Sequence, residues 1–82
     1  MLDKKKLDII IPVYNEGEII INTIKSIKNY FSYEHNILIC YDFEKDNTLT
    51  ALKKSNLKLE NVYFIKNQTL IFNPIKYNYI FI

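Results

Sequence analysis

The run Leu7-Asp8-Ile9-Ile10-Ile11-Pro12-Val13 constrains this chain more than any other stretch: it is rich in β-branched residues, apolar on both faces and closed by a proline. A strand that offers apolar side chains to both sides must be covered on both sides, which is the condition of a parallel sheet in an α/β fold. The signature returns at Ile37-Leu38-Ile39-Cys40-Tyr41 and again at Val62-Tyr63-Phe64-Ile65. Between the first two runs, Ile20, Ile24, Ile27 and Phe31 fall four, three and four apart, so a helix puts them on one stripe. Asn22, Lys25, Lys28 and Asn29 fall on its other faces. Asn15, with Glu18 three positions on and Glu16 in the first turn, is expected to cap the start of that helix. Asp46 or Asn47 is expected to cap a second, shorter helix that carries Leu49 and Leu52 and ends around Lys53, Lys54 and Asn56. Strands alternating with helices imply right-handed parallel β-α-β-α-β units, part of a three-layer Rossmann-like sheet.

Size bounds the rest. With 82 residues, 49% of them apolar, the chain suffices for one domain and not two. At that length folding buries only about 60% of the unfolded surface, so stability is marginal unless something else covers its faces. From Thr69 to Ile82 the sequence is aromatic and β-prone, with Phe72, Tyr77, Tyr79 and Phe81, but no helix follows the third strand. Residues 1–66 therefore read as the ordered unit and 67–82 as an irregular, divergent or truncated tail. Its exposed aromatic edge is expected to favour self-association.

Composition removes several classes of function. Eleven lysines against nine acids leave a net charge of +2, and arginine is absent, so the chain lacks the guanidinium forks that read guanine or clamp phosphate. Lys4-Lys5-Lys6 is a solvated flank, and no nucleic-acid partner is expected. The single Cys40 permits no internal disulfide and no CxxC site, which fits a reducing, cytoplasmic setting. No apolar run approaches the ~18 residues of a membrane span, and no secretory signal is visible. Gly17 is the only glycine, so the glycine-rich dinucleotide and P-loop motifs have no counterpart.

In open α/β sheets, ligands bind beyond the carboxyl ends of the strands, so the loops Pro12–Glu16 and Asp42–Asn47 should share one crevice. The first offers an aromatic ring, Tyr14, and a carboxylate, Glu16. The second offers Asp42, Glu44 and Asp46. Carboxylates accept hydrogen bonds from a nucleobase imide N–H or from sugar hydroxyls, and an aromatic ring stacks on a base. Phosphates instead need amide nests, cations or metal. The pattern points to a nucleoside.

Those same residues carry a resemblance. Ile9-Ile10-Ile11-Pro12-Val13-Tyr14-Asn15-Glu16, a helix bearing Thr23-Ile24 and Ser26-Ile27, and Ile37-Leu38-Ile39-Cys40-Tyr41-Asp42-Phe43-Glu44-Lys45-Asp46-Asn47-Thr48 resemble the opening of the family 2 glycosyltransferases, over about residues 7–66. The resemblance implies the GT-A fold and a UDP- or GDP-linked sugar donor, whose sugar passes to an acceptor hydroxyl or lipid phosphate. It implies that Pro12, Tyr14 and Glu16 contact the nucleoside part of the donor and that Asp42 binds its base, while Asp46 organises the loop. Tyr41 stands where the first loop aspartate is usual, and Phe43 and Glu44 where small residues are usual. Full-length members are expected to use Mg²⁺ or Mn²⁺ held by an Asp-x-Asp turn, and to work in the cytoplasm or at the cytoplasmic face of the membrane. No aspartate follows Asp46, so neither the metal ligands nor a catalytic base is expected in this chain. By itself it reads as an inactive N-terminal fragment.

Each assignment has a plainer counterpart. Tyr14 packs on the helix in one reading and meets a nucleoside in the other. Glu16 serves the helix dipole, a ligand or both. Asp42 is a ligand contact or an exposed loop acid, and Glu44 and Asp46 are solvated or capping groups. His35 reads as a surface residue in a polar connection, and Cys40 as a small core residue. The alternative function is a non-catalytic α/β interaction module that self-associates through its C-terminal edge. A receiver-like phospho-acceptor domain ranks third.

Overall fold

The computed structural model describes residues 7–67 and 79–81. The order of elements is β1 (Leu7–Pro12), α1 (Ile20–Tyr30), β2 (His35–Tyr41), α2 (Asn47–Lys54), β3 (Val62–Lys66) and β4 (Tyr79–Phe81). All four strands are parallel and lie in the order β3-β2-β1-β4. The register sets Ile9 beside Ile37 and Ile37 beside Val62, and Pro12 beside Cys40 at the carboxyl edge. The α/β parallel unit expected from the three apolar runs is therefore present. The aromatic tail adds a further short strand, in which Ile80 pairs with Ile9 and Phe81 with Ile10. Of the aromatic C-terminal edge expected to favour self-association, only the backbone of residues 79–81 is described; 68–78 and 82 lie outside the described residues.

Period-two alternation divides the side chains of each strand between two faces. Ile9, Ile11, Ile37, Ile39 and Val62 face the helices and form one core with Ile20, Ile24 and Leu52. Ile10, Leu38 and Cys40, joined by Ile65, are buried on the opposite face. Successive right-handed crossovers running β1 to β2 to β3 place α1 and α2 on the same side of the sheet. Burying an isoleucine side chain contributes about 1.5–3 kcal/mol, and Ile24, Ile37, Ile39 and Leu52 are wholly inaccessible, so this side holds the unit together.

The helix stripe is as expected, with Ile20 and Ile24 buried and Ile27 and Phe31 packed against the same core. The start of α1 is not. Asn15 does not cap it: the N-cap position is Ile19, without a side-chain hydrogen bond, and no acid lies in the first turn. Glu16 belongs instead to the preceding turn, where its carbonyl accepts the N–H groups of Ile19 and Ile20. The reason is that the Asn15 side chain is drawn to the other loop, where its Oδ1 accepts the amide of Asn47 at 3.1 Å, while its backbone takes a left-handed φ of 51°. Asparagine tolerates that conformation better than most residues, but not as part of a helix.

His35 also departs from expectation. It opens β2 rather than sitting in the connection, is half-buried, and presents its ring to Phe31 at a centroid distance of 5.2 Å. Its Nδ1 lies 2.7 Å from the carbonyl of Tyr33, which can only accept, so that nitrogen carries the proton. Cys40 lies in the core as anticipated, and burial raises the pKa of its thiol. No helix among the described residues is long and apolar enough to cross a membrane.

Candidate functional site at the carboxyl edge of the sheet

Beyond β1 and β2 the chain makes two turns, residues 13–19 and 42–46, fastened to each other by hydrogen bonds. The Asp46 carboxylate accepts the amide of Asn15 through Oδ2 at 3.1 Å and the amide of Thr48 through Oδ1 at 2.8 Å. The Thr48 hydroxyl accepts the amide of Glu16 at 2.8 Å, and Asn47 Oδ1 accepts that of Gly17 at 2.8 Å. Three consecutive amides of the first turn, at residues 15, 16 and 17, thus end on three consecutive side chains at the start of α2. Val13 extends the sheet ladder past Pro12 by donating to the carbonyl of Cys40 at 2.9 Å.

Asp46 is fully buried yet ionises more readily than an ordinary aspartate. Burial alone raises its pKa. Hydrogen bonds from the Thr48 hydroxyl, the Thr48 amide and the Asn15 amide favour the carboxylate and outweigh burial, so the pKa is lowered. This residue ties the two turns together and caps α2, with both carboxylate oxygens accepting backbone amides.

The sequence-derived site residues are distributed as follows. Tyr14 is 67% exposed and its ring centroid lies 5.7 Å from that of Phe43, the planes inclined by 61°. The Pro12–Glu16 turn therefore touches the turn that carries Asp42. Pro12 and Glu16 share a hollow of about 170 Å³ with Val13, Ile20 and Thr23. Glu16 also lines a second hollow, of about 300 Å³, with Asn15, Glu18, Ile19 and Asn47. Neither hollow includes Tyr14 or Asp42, which stand out into solvent. Glu44 is engaged by Lys66, whose Nζ lies 3.0 Å from its Oε1, and this brings the end of β3 to the same edge.

Two contributors had no role assigned to them from the sequence. Phe43 figured there only as a departure from a pattern, because contact between rings on separate turns has no local signal. Lys66 could have been found as the lysine that ends an apolar strand. The arrangement offers exposed carboxylates, an exposed ring and shallow hollows, which suits hydrogen bonding and stacking. Among the described residues no three His, Cys, Asp or Glu side chains come together to hold a metal ion. With Asp46 engaged by amides, these residues do not fit a Mg²⁺ or Mn²⁺ site.

A parallel sheet with helices between its strands and polar turns at its carboxyl edge is an open α/β unit of the kind in which ligands bind beyond the carboxyl ends of the strands. The family model for glycosyl transferase family 2 matches residues 8–70, and the chain belongs to that family. Glycosyl transfer is thereby its general chemistry. Searches among curated proteins and solved structures gave no match.

Proposed function

We propose that the two turns hold the nucleoside part of a UDP- or GDP-linked sugar donor, for transfer of the sugar to an acceptor hydroxyl or lipid phosphate. Tyr14 stacks on the base beside Pro12, Glu16 accepts hydrogen bonds from sugar hydroxyls, and Asp42 accepts the ring N–H that uracil and guanine both present next to a carbonyl. The observation that carries this reading is the ring contact between Tyr14 and Phe43, because it sets the exposed aromatic turn against the turn bearing Asp42. The residues of this chain bind and orient the donor; none is assigned a catalytic step. The setting proposed is the cytoplasm, at the membrane face in a full-length enzyme.

The test is a titration of the 82-residue chain with UDP, GDP and ADP, followed by amide chemical shifts. Weak binding of UDP or GDP, centred on residues 12–16 and 42–46 and lost in Asp42→Ala, is the expected result. Indistinguishable titrations of the wild type and the variant overturn the proposal.

A further inference from the structure

Tyr14 is held on both sides by pinned backbone. Val13 is tied to β2 through the Cys40 carbonyl, and Asn15 is fixed at a φ of 51° with its amide on Asp46. The turn opposite is pinned as well, since the amide of Asp46 donates to the carbonyl of Phe43 at 3.2 Å. Rotation of the Tyr14 side chain is therefore the main freedom left at this point, and the half-buried Phe43 ring is the described ring against which it rests. An edge-on aromatic contact of this kind has a preferred geometry and restrains the ring that makes it.

We infer that Phe43 is a positioning residue that fixes Tyr14 as a one-sided stacking platform, and that the ligand it serves is a planar nucleobase of either ring size. The inference rests on the nucleoside reading above. Two rings inclined by 61° cannot both lie flat on one planar ligand, so a base stacks on the exposed Tyr14 and is not sandwiched. One open face tolerates a purine and a pyrimidine alike, and discrimination between bases is left to Asp42, the hydrogen-bonding acid on the turn that carries Phe43. Holding the tyrosine beforehand spares the loss of its rotamer freedom on binding.

The test compares UMP, GMP and ribose 5-phosphate on wild type, Phe43→Ala, Phe43→Leu, Phe43→Tyr and Tyr14→Ala. Phe43→Ala is expected to weaken UMP and GMP by about three- to tenfold and to leave ribose 5-phosphate unchanged. Phe43→Tyr should restore binding, whereas Phe43→Leu, which keeps the bulk but not the ring, should not. The Tyr14 ring protons should lose the ring-current shift that Phe43 imposes, and Tyr14→Ala combined with Phe43→Ala should cost no more than Tyr14→Ala alone. Should Phe43→Ala fail to fold, Phe43→Leu supplies the same comparison. Additive losses, or nucleotide binding by Phe43→Leu equal to wild type while Asp42→Ala loses it, would sink the role of Phe43 and leave the nucleoside reading standing. A wild type that binds neither nucleotide sinks both.

Discussion

The carboxylate of Asp46 accepts the backbone N–H of Asn15, which belongs to the turn after a different strand, and with its other oxygen it accepts the N–H of Thr48. One side chain thus caps α2 and fixes the geometry of the turn that presents Tyr14. Asp46→Asn turns an N–H pair toward one of two amide donors, and Asp46→Ala leaves both without this acceptor. Each is expected to cost about 1–3 kcal/mol, read from urea unfolding. Nucleotide affinity should fall as well, through the changed geometry of the turn that presents Tyr14.

The same residue makes stability depend on acid. Its folded pKa lies below the ordinary aspartate value, so the folded state favours the carboxylate more than the unfolded state does. The resulting stabilisation is fully present above the unfolded pKa of about 3.9 and disappears as pH falls from there through the lower folded pKa. Unfolding midpoints measured between pH 7 and pH 2 should drop in that acid window in the wild type. Asp46→Asn should show a shallower drop.

Gly17 is expected to resist substitution for reasons of space. A Cβ placed there meets Asn47 Oδ1 at 2.9 Å and the Asn47 carbonyl oxygen at 3.0 Å. Its φ is not positive, so strain does not enter. Since that Oδ1 is also the acceptor of the Gly17 amide, relief of the clash moves the start of α2 and lengthens the bond. Gly17→Ala should destabilise by about 1–3 kcal/mol and perturb the amide resonances of residues 15–17 and 46–48 together.

The ion pair of Lys66 with Glu44 and the core contact of Ile24 should behave oppositely. The pair is solvent-exposed, with side-chain exposures of 36% and 67%, and screening leaves such pairs worth little. Glu44→Gln should change stability by no more than about 0.5 kcal/mol. Ile24 is completely inaccessible, and Ile24→Ala should cost about 2–5 kcal/mol through lost transfer energy and the cavity left behind. Parallel thermal melts of the two variants check both statements.

The sheet was legible because its signal is local and repeated: three runs of β-branched residues with both faces apolar, separated by a helical stripe, admit little besides a parallel arrangement. A cap for α2 at Asp46 or Asn47 was legible for the same reason, since a cap and its helix are neighbours in sequence, and the structure selects Asp46. Asn15 looked like a cap by that local rule and is not, because its acceptor serves an amide in the other turn. No periodicity encodes such a choice. The placement of Pro12, Tyr14, Glu16 and Asp42 at the carboxyl edge followed from their position at or just after the ends of two parallel strands. The pairing of Tyr14 with Phe43 did not, as it depends on side-chain directions across two turns. His35 was misread as part of a connection because β2 begins two residues before its apolar core. The strand Tyr79–Phe81 gave only a tendency, being too short for alternation to show.

The sheet order has a consequence for assembly. Asp8 is paired with Asn36 on one side and with Tyr79 on the other, so nearly the whole length of the chain separates β1 from its second neighbour. Closing the shorter loop carries the smaller entropic cost, and β1 with β2 should come together first. Until β4 arrives, one flank of the central strand keeps its N–H and C=O groups bare, a template on which a second copy could lay its own strand.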